Sequence, residues 1–475
     1  MAETYALDLL PAQLVKAHHL YSDDPRPRRL IVCCDGTWMK NDTDQPLSNV
    51  ARIGLCLADC DRRGEKHFTQ VVHYQSGVGT SSWGALNLYE GAFAQAIGQD
   101  IRDAYGFICD NYRTPDDEII LIGFSRGAFT VRALASLIAD IGVLNGAGRY
   151  SLSKVYELWE KQLPSRSLGD GPLTSPAAPA QEPEISHEIS DLEHYVRDLQ
   201  KVRLTQYSTV NIKVCAVWDT VAAIGAKLPK FLPQIPSKKL AFVDKKTGSD
   251  AAGRPRVENV FQALALDEKR FHFQPMLWQR HQTQNLTQCW FRGSHSDVGG
   301  GNVNSGLANI SLAWMMGKLE PFALFDVYRI SQLSQDWGLI PHLLGRDGRE
   351  SKKPFKMPPQ NFRVYNSYTK RYWLGMSEER HPGAVNNGTD TNESVHISVF
   401  RLGDDPSDSR IVHKSVDLND MAKAQWVDGD LEHKILKAWR KSEGDPVVKK
   451  GLNQILGVDA EAALQAEEPA ATGAA

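Results

Sequence analysis

Nowhere in the 475 residues do eighteen apolar residues follow one another. The N-terminal stretch MAETYALDLLPAQLVKAHHL carries acids early and has no apolar run of signal-peptide length. Neither a membrane-spanning helix nor a secretory leader is therefore expected, and the expected location is cytoplasmic. Basic excess is missing as well. A formal net charge of -3 argues against nucleic acid as the main partner, which needs a positive field over one face, although it leaves a membrane surface open. Cysteine is sparse, with seven in all: Cys33, Cys34, Cys215 and Cys289 fall in apolar strand-like runs and Cys109 in a helical pattern, as reduced, buried thiols do. Cys56 and Cys60, four apart, could hold a metal only with ligands from elsewhere, so packing is the expected role and neither metal nor cofactor is expected. Without a leader, the Asn-x-Ser/Thr matches at Asn41, Asn285, Asn309, Asn387 and Asn392 carry no glycan meaning. No repeat of solenoid or propeller period is present.

What the chain does contain is enough apolar material for a large core, 42% hydrophobic against 23% charged residues. Its length exceeds an ordinary domain, and one enlarged α/β domain carrying insertions is expected. The organising stretch is Ile119 to Arg132, IILIGFSRGAFTVR. Ile119 to Ile122 reads as a buried strand, Gly123-Phe124-Ser125-Arg126-Gly127 as a tight turn, and Ala128 to Asp140 as a helix. A strand reversing sharply into a helix leaves no room for a Cβ beside the turning residue, which is forced into strained angles. Ser125 would then stand at the tip, above the first amides of a helix, where a developing oxyanion is favoured. That is a nucleophile elbow. The alternative is that the glycines only allow packing and Ser125 caps the helix.

Taken in order, residues 1–29 read as an N-terminal extension. Leu30 to Cys34 is a wholly apolar strand, suited to burial on both faces, and it ends in Asp35-Gly36-Thr37-Trp38. At the carboxyl edge of a parallel sheet, Asp35 could orient a site and the amides near Gly36 and Thr37 could serve an oxyanion. A plain turn is the alternative. Ser48 to Ala58 reads as a helix, Gln70 to Tyr74 as a strand, and Gln75 to Thr80 as a glycine-rich rim loop that places Gly77 by the site; it lacks the lysine of a phosphate-binding loop. Gly91 to Tyr112 carries an apolar stripe at helical spacing. Tyr150 to Leu163 is helical, residues 164–189 are a Pro- and Ser-rich insertion, and Ser190 to Val202 is a charged helix.

Val210 to Val217 resumes the sheet and exits into Trp218-Asp219-Thr220-Val221, where a carboxylate stands as the acid of a triad should. A cap-like insertion, 226–256, mixes apolar residues with lysines; it could rest on an anionic lipid surface or be a solvated cap. Val257 to Leu266 is expected to be helical and leads to Asp267, a competing candidate for the acid. Thr287 to Phe291 is the next strand, followed by Gly293-Ser294-His295-Ser296-Asp297-Val298-Gly299-Gly300-Gly301 and a helix from Leu307 to Met316. A histidine just past a strand suits a catalytic base. Asp297 could brace it or bind a cation, and a turn role is the alternative. His396 is the rival base. The order Ser125, Asp219, His295 is that of α/β-hydrolases. Residues 321–457 read as a covering region of the same domain, with a strand from Val395 to Leu402 and a helix from Asp430 to Lys441, and 458–475 as a fraying tail.

Together, Val32-Cys33-Cys34-Asp35-Gly36-Thr37-Trp38, Gly77-Val78-Gly79-Thr80, Gly123-Phe124-Ser125-Arg126-Gly127-Ala128, Trp218-Asp219-Thr220-Val221 and His295 to Gly301 resemble the α/β-hydrolase family of the type VI secretion phospholipase effectors, and most of all its fungal cytoplasmic members. The resemblance covers roughly Arg28 to Lys318. It implies a mostly parallel sheet with helices on both faces over about 30–320, and a lipase-like esterase with Ser125 as nucleophile, Asp219 as acid and His295 as base. The oxyanion would be held by amides at Arg126 and near Gly36. Three readings follow: a hydrolase of phospholipid or another acyl ester, a small-molecule ester or thioester hydrolase, and a catalytically silent interaction scaffold.

Overall fold

The protein is described by a computed structural model over residues 26–36, 46–77, 89–162, 191–208, 210, 212–221, 257–270, 273–279, 284–326, 328–330, 362–365, 379–382, 391–396, 398–399, 402, 432, 434–437 and 449–450. The insertions 164–189 and 226–256, the tail 458–475, Thr37 and most of the N-terminal extension lie outside these residues.

An eight-stranded sheet forms the frame. Its strands are β1 (Arg28–Cys34), β2 (Cys60–Asp61), β3 (Phe68–Gln75), β4 (Glu118–Phe124), β7 (Ile212–Trp218), β8 (Val257–Ala265), β9 (Asn285–Phe291) and β10 (Glu393–Val395); β5 (Val143–Leu144) and β6 (Thr205–Tyr207) make a separate antiparallel pair. The order across the large sheet is β10-β9-β8-β7-β4-β1-β3-β2, and every pairing is parallel except β2 with β3.

Alternation along the strands explains why they are apolar throughout. In β1, Leu30, Val32 and Cys34 join the core under helices α2 (Tyr89–Asn111) and α3 (Arg126–Ile141), whereas Ile31 and Cys33 join the core under α1 (Asn49–Cys56) and the helix Gly306–Leu319. β4 divides in the same way, Ile119 and Leu121 from Ile120 and Ile122. With both faces covered, β1 and β4 are apolar at their central positions, and where β8 and β9 carry Gln262 and Gln288 the two side chains are buried and bonded to each other at 2.8 Å. Arginines are accommodated only at the start of β1: Arg29 is buried but paired with Asp61 at 2.7 Å and Glu118 at 2.8 Å. The expected boundary at residue 29 falls inside β1, which begins at Arg28.

The strand order has one reversal. From β1 the chain moves outward to β3, then crosses back so that β4 pairs with the other side of β1 and the sheet grows on through β7, β8, β9 and β10. Adjacent strands whose crossovers leave in opposite directions open a crevice at their carboxyl ends. Here that crevice lies past Cys34 and Phe124, at Asp35 and Ser125.

Two expected elements differ. Val257 to Leu266 is the strand β8 and its exit, not a helix: its apolar residues satisfy helical spacing, but the run is nine residues long and buried on both faces between β7 and β9. Periodicity alone does not separate these cases. Of the strand expected over Val395 to Leu402, only Val395 is strand among the described residues, at the end of Glu393–Val395; the Val399 amide bonds back to the His396 carbonyl. Glu432 and residues 434–437 are helical, within the helix expected from Asp430 to Lys441. Helices α4 (Leu152–Gln162), α5 (Asp191–Lys201), α6 (His295–Gly299) and α7 (Gly306–Leu319) complete the described helices longer than four residues.

Candidate active site

Ser125 occupies the turn between β4 and α3 with φ 58° and ψ -119°, angles that a residue with a Cβ rarely adopts. The flanking glycines are dictated by space. A Cβ on Gly123 would lie 2.7 Å from the Ala128 Cα, and one on Gly127 would lie 2.2 Å from the Cys34 carbonyl oxygen. The helix therefore starts in direct contact with β1, and only glycine permits that approach. Although Ser125 precedes the helix, its hydroxyl makes no capping bond. It lies instead 2.7 Å from His295 Nε2.

His295 opens the short helix α6, four residues past β9. Its ring is buried between Phe124, at 4.7 Å between centroids, and Phe273, edge-on at 4.9 Å. Gly299 makes this possible, since a Cβ there would sit 2.0 Å from the Phe124 ring. His295 Nδ1 lies 2.5 Å from Asp219 Oδ2. An ionised carboxylate only accepts, so Nδ1 carries the proton and donates it to Asp219, which leaves Nε2 to accept from the Ser125 hydroxyl.

Asp219 follows β7 with φ 40° and is wholly buried. Burial alone would push its carboxyl up, but the Arg380 cation, together with the bond and charge of His295, holds it at about 2. The Ala265 amide donates to Oδ1 at 3.1 Å, and the Asp219 amide donates to the Ala263 carbonyl at 2.7 Å, so the strand exit itself fixes the carboxylate. For His295, burial lowers the imidazole below its ordinary 6.5. The Asp219 bond and charge and the Glu268 charge oppose this, and Arg270 reinforces it. Neutral imidazole, the form a base requires, is thus favoured.

Arg126 is half-buried at the start of α3, and burial lowers its guanidinium to about 10. Gly36 borders the nucleophile: a Cβ on it would lie 3.3 Å from the Ser125 Cβ. Its amide donates to Asp35 Oδ1 at 2.7 Å. Asp35 itself does not reach the imidazole. Its other oxygen accepts from Ser48 Oγ at 2.5 Å and the Tyr74 hydroxyl at 2.6 Å, tying the β1 exit to α1 and β3, while burial pushes its carboxyl up to about 6 against those bonds. Gly77 lies two residues beyond β3 at the same sheet edge.

Asp297 does not brace His295 either. It closes a capping box with Ser294 and accepts from Asn302 at 2.8 Å and the Tyr365 amide at 2.7 Å. Asp267 accepts the Gly293 amide at 2.7 Å, while the two ring nitrogens of His295 meet Asp219 and Ser125. His396 is stacked on Phe291 and engages Ser398 and Glu432 through its two nitrogens, away from Ser125. Among the described residues no group of three or more His, Cys, Asp or Glu side chains is arranged to hold a metal, and no helix is long and apolar enough to cross a membrane.

Two residues at this site had no sequence signal. Glu268 is fully buried below the histidine. It accepts the His295 amide at 3.2 Å and pairs with Arg270 at 2.8 Å, and those bonds bring its carboxyl down to about 2 although burial pushes it up. Arg380, from a distant segment, holds Asp219. Neither stands in a local pattern that reveals a role. Only folding brings them beneath the sheet edge.

A yeast protein described as "Uncharacterized protein YEL023C", from Saccharomyces cerevisiae, is 30% identical over 147 residues, covering 28% of this chain and 20% of its own length. The chain therefore spans about a fifth of that relative. Two solved structures match weakly. The Tle1 effector bound to the VgrG spike of the type 6 secretion system matches at TM-score 0.29 and 18% identity over 59% of this chain and 53% of its own. An uncharacterized protein from Pseudomonas aeruginosa matches at TM-score 0.32 and 15% identity over 68% and 49%. A sequence model of the family described as "T6SS, Phospholipase effector Tle1-like, catalytic domain" matches residues 28–318, from the first residue of β1 to the last turn of α7. The chain belongs to this family of phospholipase effector Tle1-like proteins through the catalytic domain that the family model describes.

Proposed function

We propose that this protein is a serine esterase that cleaves phospholipid or another acyl ester by two-step acyl transfer, with Ser125 as nucleophile, His295 as base and Asp219 as acid. The observation that carries the reading is the relay of contacts, 2.5 Å from Asp219 to His295 and 2.7 Å from His295 to Ser125, ending on a strained serine. In the first step His295 Nε2 takes the Ser125 proton as Oγ attacks the ester carbonyl. Asp219 steadies the imidazolium that forms. Charge developing on the carbonyl oxygen falls at the positive end of α3, whose first amide, that of Arg126, serves as a donor in this reading. A second donor would come from the loop after β1. Collapse returns the proton from His295 to the leaving alcohol, and water, activated by the same histidine, then releases the acyl group.

The experiment is labelling of the purified protein by a fluorophosphonate probe, with hydrolysis of a short p-nitrophenyl ester and of phospholipid vesicles alongside. Labelling at Ser125 and its loss in Ser125→Ala, with hydrolysis reduced on the order of a thousandfold or more, is expected. Full hydrolysis by that variant removes the nucleophile assignment. No labelling of the wild type favours a silent scaffold. Hydrolysis of the soluble ester without turnover of vesicles of any headgroup identifies a small-molecule esterase instead.

A further inference from the structure

The carboxylate at the base of the relay is held from outside the family-matched residues. Arg380 lies 62 positions beyond Lys318, where the matched segment ends, and its side chain is 1% exposed. One guanidinium nitrogen is 2.7 Å from Asp219 Oδ1 and the other 3.1 Å from Oδ2, a forked contact across both oxygens. The same two nitrogens donate to the Ala265 carbonyl at 2.5 Å and to the Phe273 carbonyl. Ala265 ends β8, and Phe273 packs edge-on against the His295 ring. One side chain thus ties together the acid, the strand beside it and the aromatic wall of the base.

We propose that Arg380 is a positioning residue for the esterase reaction, its guanidinium holding the Asp219 carboxylate square to His295. This inference rests on the reading of Ser125, His295 and Asp219 as the reacting set. Geometry favours arginine specifically. A planar fork fixes both oxygens and therefore the plane of the carboxylate, which a single ammonium does not do. That plane decides whether Oδ2 meets Nδ1 along its lone pair, and with it the orientation of the imidazole.

There is also an electrostatic consequence. A cation shared by the carboxylate reduces its pull on the imidazolium. Removing that cation therefore strengthens the pull and raises the pH at which His295 gives up its proton. The other charged groups around the histidine are Glu268 and Arg270 on the β8 exit, Asp267 on the same turn, and Asp297 on α6 itself, which faces Ser294, Asn302 and Tyr365. None of them touches Asp219 in the forked manner of Arg380.

The test compares full-length wild type, Arg380→Gln, Arg380→Lys and Ser125→Ala on a soluble p-nitrophenyl ester, with kcat and KM determined across pH and folding followed by near-ultraviolet circular dichroism. Arg380→Gln is expected to lose about tenfold or more in kcat with KM little changed, and its acid limb should move up by about half a pH unit or more. Arg380→Lys should keep the limb near the wild-type position while kcat falls severalfold, since charge is retained and the fork is not. A folded Arg380→Gln with wild-type kcat and an unmoved limb overturns the proposal. Should the glutamine variant not fold, Arg380→Lys decides: wild-type kcat in that variant overturns the forked hold. Activity in Ser125→Ala overturns the underlying assignment of the reacting set, whereas a dead Ser125→Ala beside an unaffected Arg380→Gln overturns this inference alone.

Discussion

Replacing Ser125 separates a strained nucleophile from an ordinary helix cap, because the two make opposite predictions for stability. Its hydroxyl bonds to His295 and to no backbone amide of α3, so Ser125→Ala removes no cap. Loss of a working cap costs about 1 kcal/mol. Here a change well under that is expected, together with loss of activity. Ser125→Gly goes further. At φ 58° and ψ -119° a residue with a Cβ stores about 1–3 kcal/mol of strain, which glycine releases. Against this stands the extra freedom of glycine in the unfolded chain, about 0.5–1 kcal/mol. The net expectation is that Ser125→Gly exceeds Ser125→Ala in stability by about 1 kcal/mol while both are inactive. Urea unfolding followed by the fluorescence of the eleven tryptophans measures this directly. A Ser125→Ala variant weaker than wild type by more than about 1 kcal/mol makes the hydroxyl a structural cap. A glycine variant weaker than the alanine one refutes the strain, and with it the physical reason for the turn.

Further outcomes follow from the same geometry. Because burial holds His295 below its ordinary 6.5, the acid limb of kcat/KM for the wild type should lie below that pH; a limb above 7 contradicts the environment described for the imidazole. Glu268, held at about 2 against an ordinary 4.5, contributes about 3 kcal/mol that is present above pH 4.5 and lost as pH falls toward 2. The stability advantage of wild type over Glu268→Gln should therefore shrink between pH 5 and pH 3, and a constant advantage excludes the pairing with Arg270 as its source. Gly127→Ala drives a Cβ to 2.2 Å from the Cys34 carbonyl and 2.4 Å from that of Asp35, both on rigid backbone, so about 3 kcal/mol or more of stability should be lost. Gly146→Ala, with open space around it, should fall within about 0.5 kcal/mol of wild type in the same urea titration.

Much of the architecture is legible along the chain. Leu30 to Cys34 and Ile119 to Ile122 are apolar without a break, which only a sheet covered on both faces accommodates, and both are central strands. The glycines at 123, 127 and 299 mark close approaches that steric exclusion enforces wherever they occur. Less legible was β8, since VENVFQALA has apolar residues at spacings that serve a helix and a buried strand equally. The roles of Asp35 and Asp297 were open for a different reason. A short carboxylate beside a turn can face a ligand or the protein's own donors, and both accept a neighbouring amide, from Gly36 and Ser294, besides donors remote in sequence at Tyr74 and Tyr365.

Local chemistry along the sequence determined the strand, the elbow and the order in which serine, aspartate and histidine leave the sheet, because each depends on neighbours a few residues away. What tertiary structure alone decided is which acid meets the imidazole and what holds that acid. Asp219 and Asp267 both follow strands, and the choice between them is made by the 2.5 Å contact across 76 residues of separation. Arg380 reaches the same carboxylate from 161 residues away. Contacts of that span leave no periodicity or spacing behind, since nothing but the packed sheet relates the two positions.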